Sequence, residues 1–325
     1  VELPAKDFVD IVTEKSERTM KTSVYRGIVL VASIGLLAGC SQLKNDQTPT
    51  APSLSVHGDG FTDPSSSNFH GNTVWQLNWS MTTCKSCHGG NYAGGTAQKS
   101  CLTCHTQANG PEACNTCHGT FNAPANNSAL WAPPRAVNGD TATTSRGVGA
   151  HQGHLQATIG KVLKCQECHT VPAQVYAAGH FDYPLPARVV LNDTLANLVS
   201  GNGTLVPHPA YDATQLQCNN TFCHGNWRVL KANAPADRQY IYVDSMIVGA
   251  NYSPKWTGGV NEAACGTCHG LPPKGHLAYG TSELPVSTCG NSGCHAGVVD
   301  ENGKILDRTK HINGKIDYEM TERNF

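Results

Sequence analysis

Charge is scarce in this chain of 325 residues: Asp, Glu, Lys and Arg make up 14% of it, and aromatic residues only 7%. With a formal net charge of -1 and no basic run, nothing in it invites a polyanion, so nucleic acid is not an expected partner. Methionine is limited to four residues. The most apolar stretch, 27–38, is shorter than the roughly 20 residues that span a bilayer. Glycine and proline are plentiful instead, at 33 and 18 residues, and they interrupt helices and strands. A chain built this way needs a substitute for a hydrophobic core. Its 15 cysteines and 15 histidines are the place to look.

The N-terminal region reads as an address. Met20, Lys21 and Arg26 precede the apolar stretch, which closes on Leu37, Ala38, Gly39 and Cys40. That order of charge, apolar segment and small residues is the pattern of a secretory signal over 20–39. Its end resembles the bacterial lipobox, which makes Cys40 the expected lipidation site. Residues 1–19 then read as an upstream extension from a mis-assigned start. Residues 40–55 read as lipid anchor and polar tether. Ser41, in place of an acidic residue, resembles lipoproteins sent to the outer membrane.

Every other cysteine belongs to a pair that ends in Cys-His. Five pairs have two residues between the thiols: Cys84, Cys87 and His88; Cys101, Cys104 and His105; Cys114, Cys117 and His118; Cys165, Cys168 and His169; Cys265, Cys268 and His269. Two have four: Cys218, Cys223 and His224; Cys289, Cys294 and His295. Thiols three positions apart sit on one face of a helical turn and add across the two vinyl groups of one haem. The histidine that follows directly is then placed as proximal iron ligand. Zinc ribbons also use paired cysteines, but they do not need a histidine after each second one. A disulfide framework has no use for that histidine either, and a thioredoxin-like pair needs a βαβ context that is missing. The expected cofactor is therefore covalent haem c, seven copies.

Eight histidines remain: His57, His70, His151, His154, His180, His208, His276 and His311. Seven irons need seven sixth ligands, so the supply suffices for bis-histidine ligation throughout. His57 has the weakest claim, being nearest the tether. His151 and His154, three apart, are placed to cap two neighbouring haems. Methionine is a poor alternative: Met20 lies in the signal and Met81 is too close to Cys84, which leaves Met246 and Met320. Bis-histidine iron has a lower potential than Met/His iron, as suits respiration onto external acceptors.

The expected fold class is mostly irregular coil with a short α-helix at each haem motif, a small β element and the haems as core. Only 12 residues separate His88 from Cys101, and 8 separate His105 from Cys114, which brings neighbouring haems close. A four-haem lobe over 56–185 and a three-haem lobe over 186–325 follow. β-Branched residues alternate with polar ones over 188–206 and 240–248. Residues 188–191 and 240–243 are candidate strands, with extended coil over a haem as the alternative. Trp75, Trp79, Trp131, Trp227 and Trp256 are read as packing against porphyrin faces.

The alternation of the two spacings resembles the CxxxxCH/CxxCH-domain multihaem cytochromes of Geobacter-type metal-reducing bacteria. The stretches that carry the likeness are 218–226, 265–273 and 311–315, with 63–71 and 149–155 beside them. The resemblance implies an electron conduit facing the periplasm or the outer surface. Its partners would be other cytochromes or a porin–cytochrome conduit, with a metal oxide or soluble metal as acceptor. Propionates would make the holoprotein more acidic than its sequence and favour basic partners or positively charged mineral surfaces. A multihaem reductase of nitrite or a sulfur oxyanion would need an open iron position, and no Cys-x-x-Cys-Lys motif is present. A polymerising filament subunit would borrow a histidine such as His57 or His311 from its neighbour, which a lipid tether disfavours.

Overall fold

A computed structural model describes residues 56–156, 159–182, 186–191, 195–277, 285, 287–291, 293–319 and 321–325. The signal, Cys40 and the tether lie outside the described residues. The chain divides between Thr73 and Val74 into two compact units. In the first, a chain of tight turns (Asp63 N–H to Gly60 O, Ser66 N–H to Asp63 O, Phe69 N–H to Ser66 O) leads into helix α1, His70–Gln76, which crosses the division.

The second unit is mostly irregular chain with short elements. Its helices are α2, Thr82–His88; α3, Cys114–Cys117; α4, His151–Gln156; and α5, Ser287–Asn291. Its strands form three antiparallel pairs. β1, Ala210–Asp212, pairs with β2, Gln217–Asn219, placing Tyr211 opposite Cys218. β3, Arg228–Leu230, pairs with β4, Met246–Val248, and β5, Lys315–Tyr318, with β6, Thr321–Asn324. The β1–β2 connection is an Asx turn: Asp212 Oδ1 accepts from the backbone N–H of Thr214 at 2.7 Å and of Gln215 at 2.9 Å. No described helix is long and apolar enough to cross a membrane.

Six of the seven motifs carry a helical turn. α2 and α3 hold the first and third, α5 begins the seventh, and 3₁₀ turns at Cys101–Thr103, Cys165–Glu167 and Phe222–His224 hold the others. The sixth, 265–269, departs from expectation and has a non-helical turn. Gly266, with φ +93°, follows its first cysteine, and that left-handed residue stops a helix from starting there.

The candidate strands also differ. Residues 240 and 241 end a 3₁₀ helix, Ala236–Ile241, and 188–191 have no regular secondary structure and pair with no described strand. Their hydrogen bonds go to the fourth motif: Val190 N–H donates to Cys168 O at 2.8 Å, and His169 Nδ1–H donates to Arg188 O at 3.0 Å. Irregular chain hydrogen-bonded to a motif stands there, nearer the coil alternative than a strand. Among the described residues of the two stretches, only 246–248, in β4, form a strand.

The apolar interior is thin. Eleven hydrophobic residues are buried among the described ones, and four of these (Ala113, Ala123, Ala136 and Ala196) contribute a single methyl group each. The larger ones, among them Met81, Tyr92, Val148, Phe222, Tyr242 and Ile247, are spread along the chain.

Candidate haem centres

Ten histidines share one arrangement, in which Nδ1 meets a backbone carbonyl. A carbonyl only accepts, so Nδ1 carries the proton and Nε2 keeps its lone pair for a metal. Among the proximal candidates, His88 donates to Lys99 O at 2.8 Å, His169 to Arg188 O, His269 to Gly270 O at 2.8 Å and His295 to Asp317 O at 2.9 Å. Among the distal candidates, His70 donates to Phe61 O at 2.9 Å, His151 to Val148 O at 2.8 Å and His154 to Ala150 O at 2.9 Å. His180 donates to Val175 O at 2.7 Å, His276 to Leu277 O at 3.0 Å, and His311 to Ile159 O.

Four proximal candidates face four distal ones. Ring centres lie 6.1 Å apart for His118 and His180, 6.3 Å for His169 and His151, 6.2 Å for His224 and His154, and 6.4 Å for His269 and His311. Two metal–nitrogen bonds of about 2 Å, with each ring centre about 1 Å beyond its nitrogen, put the imidazoles of a bis-histidine iron about 6 Å apart. The spacing therefore fits haem iron between the rings and is too wide for direct stacking. The ring planes differ between pairs: 35° for His118/His180 and 23° for His151/His169, against 83° for His154/His224 and 79° for His269/His311.

Burial favours the neutral, metal-binding form of four of these imidazoles, His118, His151, His224 and His311. It lowers the pKa of His118, with His180 and His169 adding to the effect, and it carries His224 down to about 4. His151 and His311 are lowered in the same way. Burial also lowers His295, with a contribution from the nearby His276 and His269. Burial raises Cys168 to about 12 and Cys218 to about 11, so these thiols stay protonated at neutral pH. None of the fourteen described cysteines is in a disulfide; Cys87, Cys104, Cys114, Cys165 and Cys265 are exposed, and the rest are half-buried.

The pairs follow one another in chain order. His118 and His169 are close enough to act on each other's charge, α4 carries both His151 and His154, and Cys268 Sγ lies 4.0 Å from His224 Nδ1. Backbone contact locks the fifth motif to the sixth: Ala250 N–H donates to Cys268 O at 2.9 Å, Asn251 N–H to Gly225 O at 3.0 Å and Tyr252 N–H to His224 O at 2.9 Å. Gly225, with φ +95°, sits there because a Cβ would come within 2.0 Å of Cys268 O.

The remaining candidates are placed as follows. In the first unit His57 stacks on Phe61 at 4.0 Å, and His70 lies 4.4 Å from Phe69. His105 meets the edge of Phe121 at 5.2 Å. His208 is exposed, with φ +52°, and no described histidine ring faces it. Of the tryptophans, Trp227 lies 6.1 Å from the His269 ring, Trp131 Nε1–H donates to Ala123 O at 3.3 Å, and Trp75 is exposed.

Two features go beyond the sequence reading. Trp256, read there as packing on a porphyrin face, meets the rings of both His151 and His154, with centres at 4.8 and 5.9 Å. Beside the first motif, Glu112 accepts from Lys85 Nζ at 2.7 Å and Tyr92 Oη at 2.6 Å. Only the glycine-rich run 147–149 ahead of His151 hinted that something packs closely there.

No curated protein and no solved structure matches the chain. Residues 217–269, which run from β2 through the touching fifth and sixth motifs, match the family described as the Geobacter CxxxxCH...CXXCH motif.

Proposed function

We propose that this chain is an electron carrier with seven covalent c-type haems, one at each Cys-His motif, in respiratory or extracellular electron transfer. The observation that carries the reading is the set of four proximal–distal imidazole pairs at iron-bridging separation. Bound haem supplies an iron that takes up and releases one electron. The chain's own residues do the rest. Backbone carbonyls fix the imidazole tautomers, burial favours the neutral form of His118, His151, His224 and His311, and short connections hold successive centres in sequence order. The remaining distal candidates, His57, His70, His208 and His276, would supply the irons of the other motifs. At the four facing pairs both axial positions would be filled, which leaves those irons no place for a substrate and favours a carrier over a reductase.

The haems also stand in for the missing core. By its N-terminal pattern the protein is an exported bacterial lipoprotein anchored through Cys40 at the outer membrane, on the periplasmic or cell-surface side. It would exchange electrons with other cytochromes or a porin–cytochrome conduit, and finally with a metal oxide or soluble metal.

Intact-mass analysis with a haemochrome assay is expected to find seven haems per chain. Fewer haems than motifs would overturn the count, and none would overturn the function. Cys40→Ala is expected to move the holoprotein from the membrane to the soluble fraction; an unchanged membrane fraction would sink the anchor.

A further inference from the structure

We infer that Trp256 is a positioning residue that sets the ring planes of His151 and His154, and so gives two neighbouring haem irons different axial geometries. This rests on the haem reading above.

Trp256 is held at three points. The indole Nε1–H donates to Arg146 O at 2.9 Å, and the backbone N–H of Trp256 donates to Leu216 O at 2.6 Å. Against its edge lies Gly149, buried and at φ +42°, where a Cβ would stand 2.0 Å from Nε1. Any side chain at 149 would displace the indole.

The two histidines of α4 meet this fixed plate differently. His151 stands edge-on at 86°, and His154 lies nearly parallel at 21°. Both also donate Nδ1–H to carbonyls within or just ahead of their own helix, which restrains each ring but leaves its tilt to the neighbour. The partners complete the contrast: His169 lies within 23° of His151, whereas His224 stands 83° from His154. One indole thus separates a near-parallel axial pair from a near-perpendicular one.

Ring-plane angle has a direct electronic consequence. Parallel imidazoles remove the degeneracy of the two iron d orbitals that overlap their π systems, and the ferric low-spin EPR signal is rhombic. Perpendicular imidazoles leave these orbitals nearly degenerate, and the signal becomes strongly anisotropic with a large highest g value. Trp256 therefore acts on both irons without touching either. Trp227, which reaches the ring of His269, plays no part in this pair.

The test is low-temperature EPR of the oxidised, haem-loaded full chain, as wild type, Trp256→Leu, Trp256→Phe and Gly149→Ala, each normalised to haem content. Wild type is expected to show both signal classes. In Trp256→Leu one rhombic and one large-g component, about one iron each, should shift or broaden, and Trp256→Phe should restore them in part. Gly149→Ala should disturb the same two components by pushing the indole aside. The large-g component of the His269/His311 site, which Trp256 does not touch, serves as the unchanged internal standard. Conversion of those two irons alone to high spin in Trp256→Leu would be a stronger form of the expected result. An unchanged spectrum in both Trp256→Leu and Gly149→Ala overturns the inference and leaves the haem reading intact. Wild type without low-spin signals overturns the haem reading itself.

Discussion

At the scale of single residues, the recurring device is a histidine whose Nδ1–H is tied to a carbonyl, the tautomer that suits Nε2 to a metal. The Cys-His motifs were legible because covalent attachment demands fixed spacing. Which imidazole faces which was not, since His311 comes to face His269 only through folding, and its Nδ1 partner, Ile159, lies 152 positions away. The cluster of Lys85, Tyr92 and Glu112 was equally hidden, because none of the three has a distinctive neighbour in sequence. Burial tends to raise the Glu112 carboxyl, but hydrogen bonds from Lys85 and Tyr92 outweigh it and hold the pKa below the usual 4.5. A depressed carboxylate stabilises the fold at pH above its unfolded pKa, and that contribution fades as pH falls through the folded value. Glu112→Gln is therefore expected to lose about 1 kcal/mol at pH 7, discounted for partial exposure, and to converge on wild type in acid. Denaturant midpoints at pH 7 and pH 3 check this; an equal loss at both would remove the ionic contribution.

At the scale of elements, short pieces act as brackets for the motifs. α4 spans only six residues yet presents two histidines to two successive proximal candidates, and its His-x-x-His spacing was readable because helical neighbours recur at three and four positions. The strands were harder to read. Alternation at 188–191 looked like a ladder, but the backbone there spends its hydrogen bonds on Cys168 and the His169 ring. The helix missing at the sixth motif traces to Gly266, which fits the Cys-x-x-Cys spacing as well as any residue but takes a left-handed conformation. Close approach of the fifth and sixth motifs depends in turn on Gly225. Gly225→Ala is expected to destabilise the holoprotein by about 2–3 kcal/mol, through strain at positive φ and collision with Cys268 O. Thermal melting followed at the haem band checks it; an unchanged midpoint would mean the two motifs are held apart from that contact.

At the scale of the whole molecule, the buried apolar set among the described residues is too small to hold those residues together by itself. Composition announced that deficit, since glycine and proline outnumber aromatic residues. Its remedy on this account is the row of haems. A chain produced without haem attachment is accordingly expected to lack a cooperative melt in far-UV circular dichroism, and a sharp two-state transition in that protein would show that the polypeptide folds unaided. Whether bis-histidine iron sits at each motif is decided by quantitative EPR of the oxidised wild-type holoprotein, normalised to iron. Seven low-spin irons per chain are expected, divided between rhombic and large-g signals. A stoichiometric high-spin iron would contradict this and would mark an open coordination site where substrate chemistry begins.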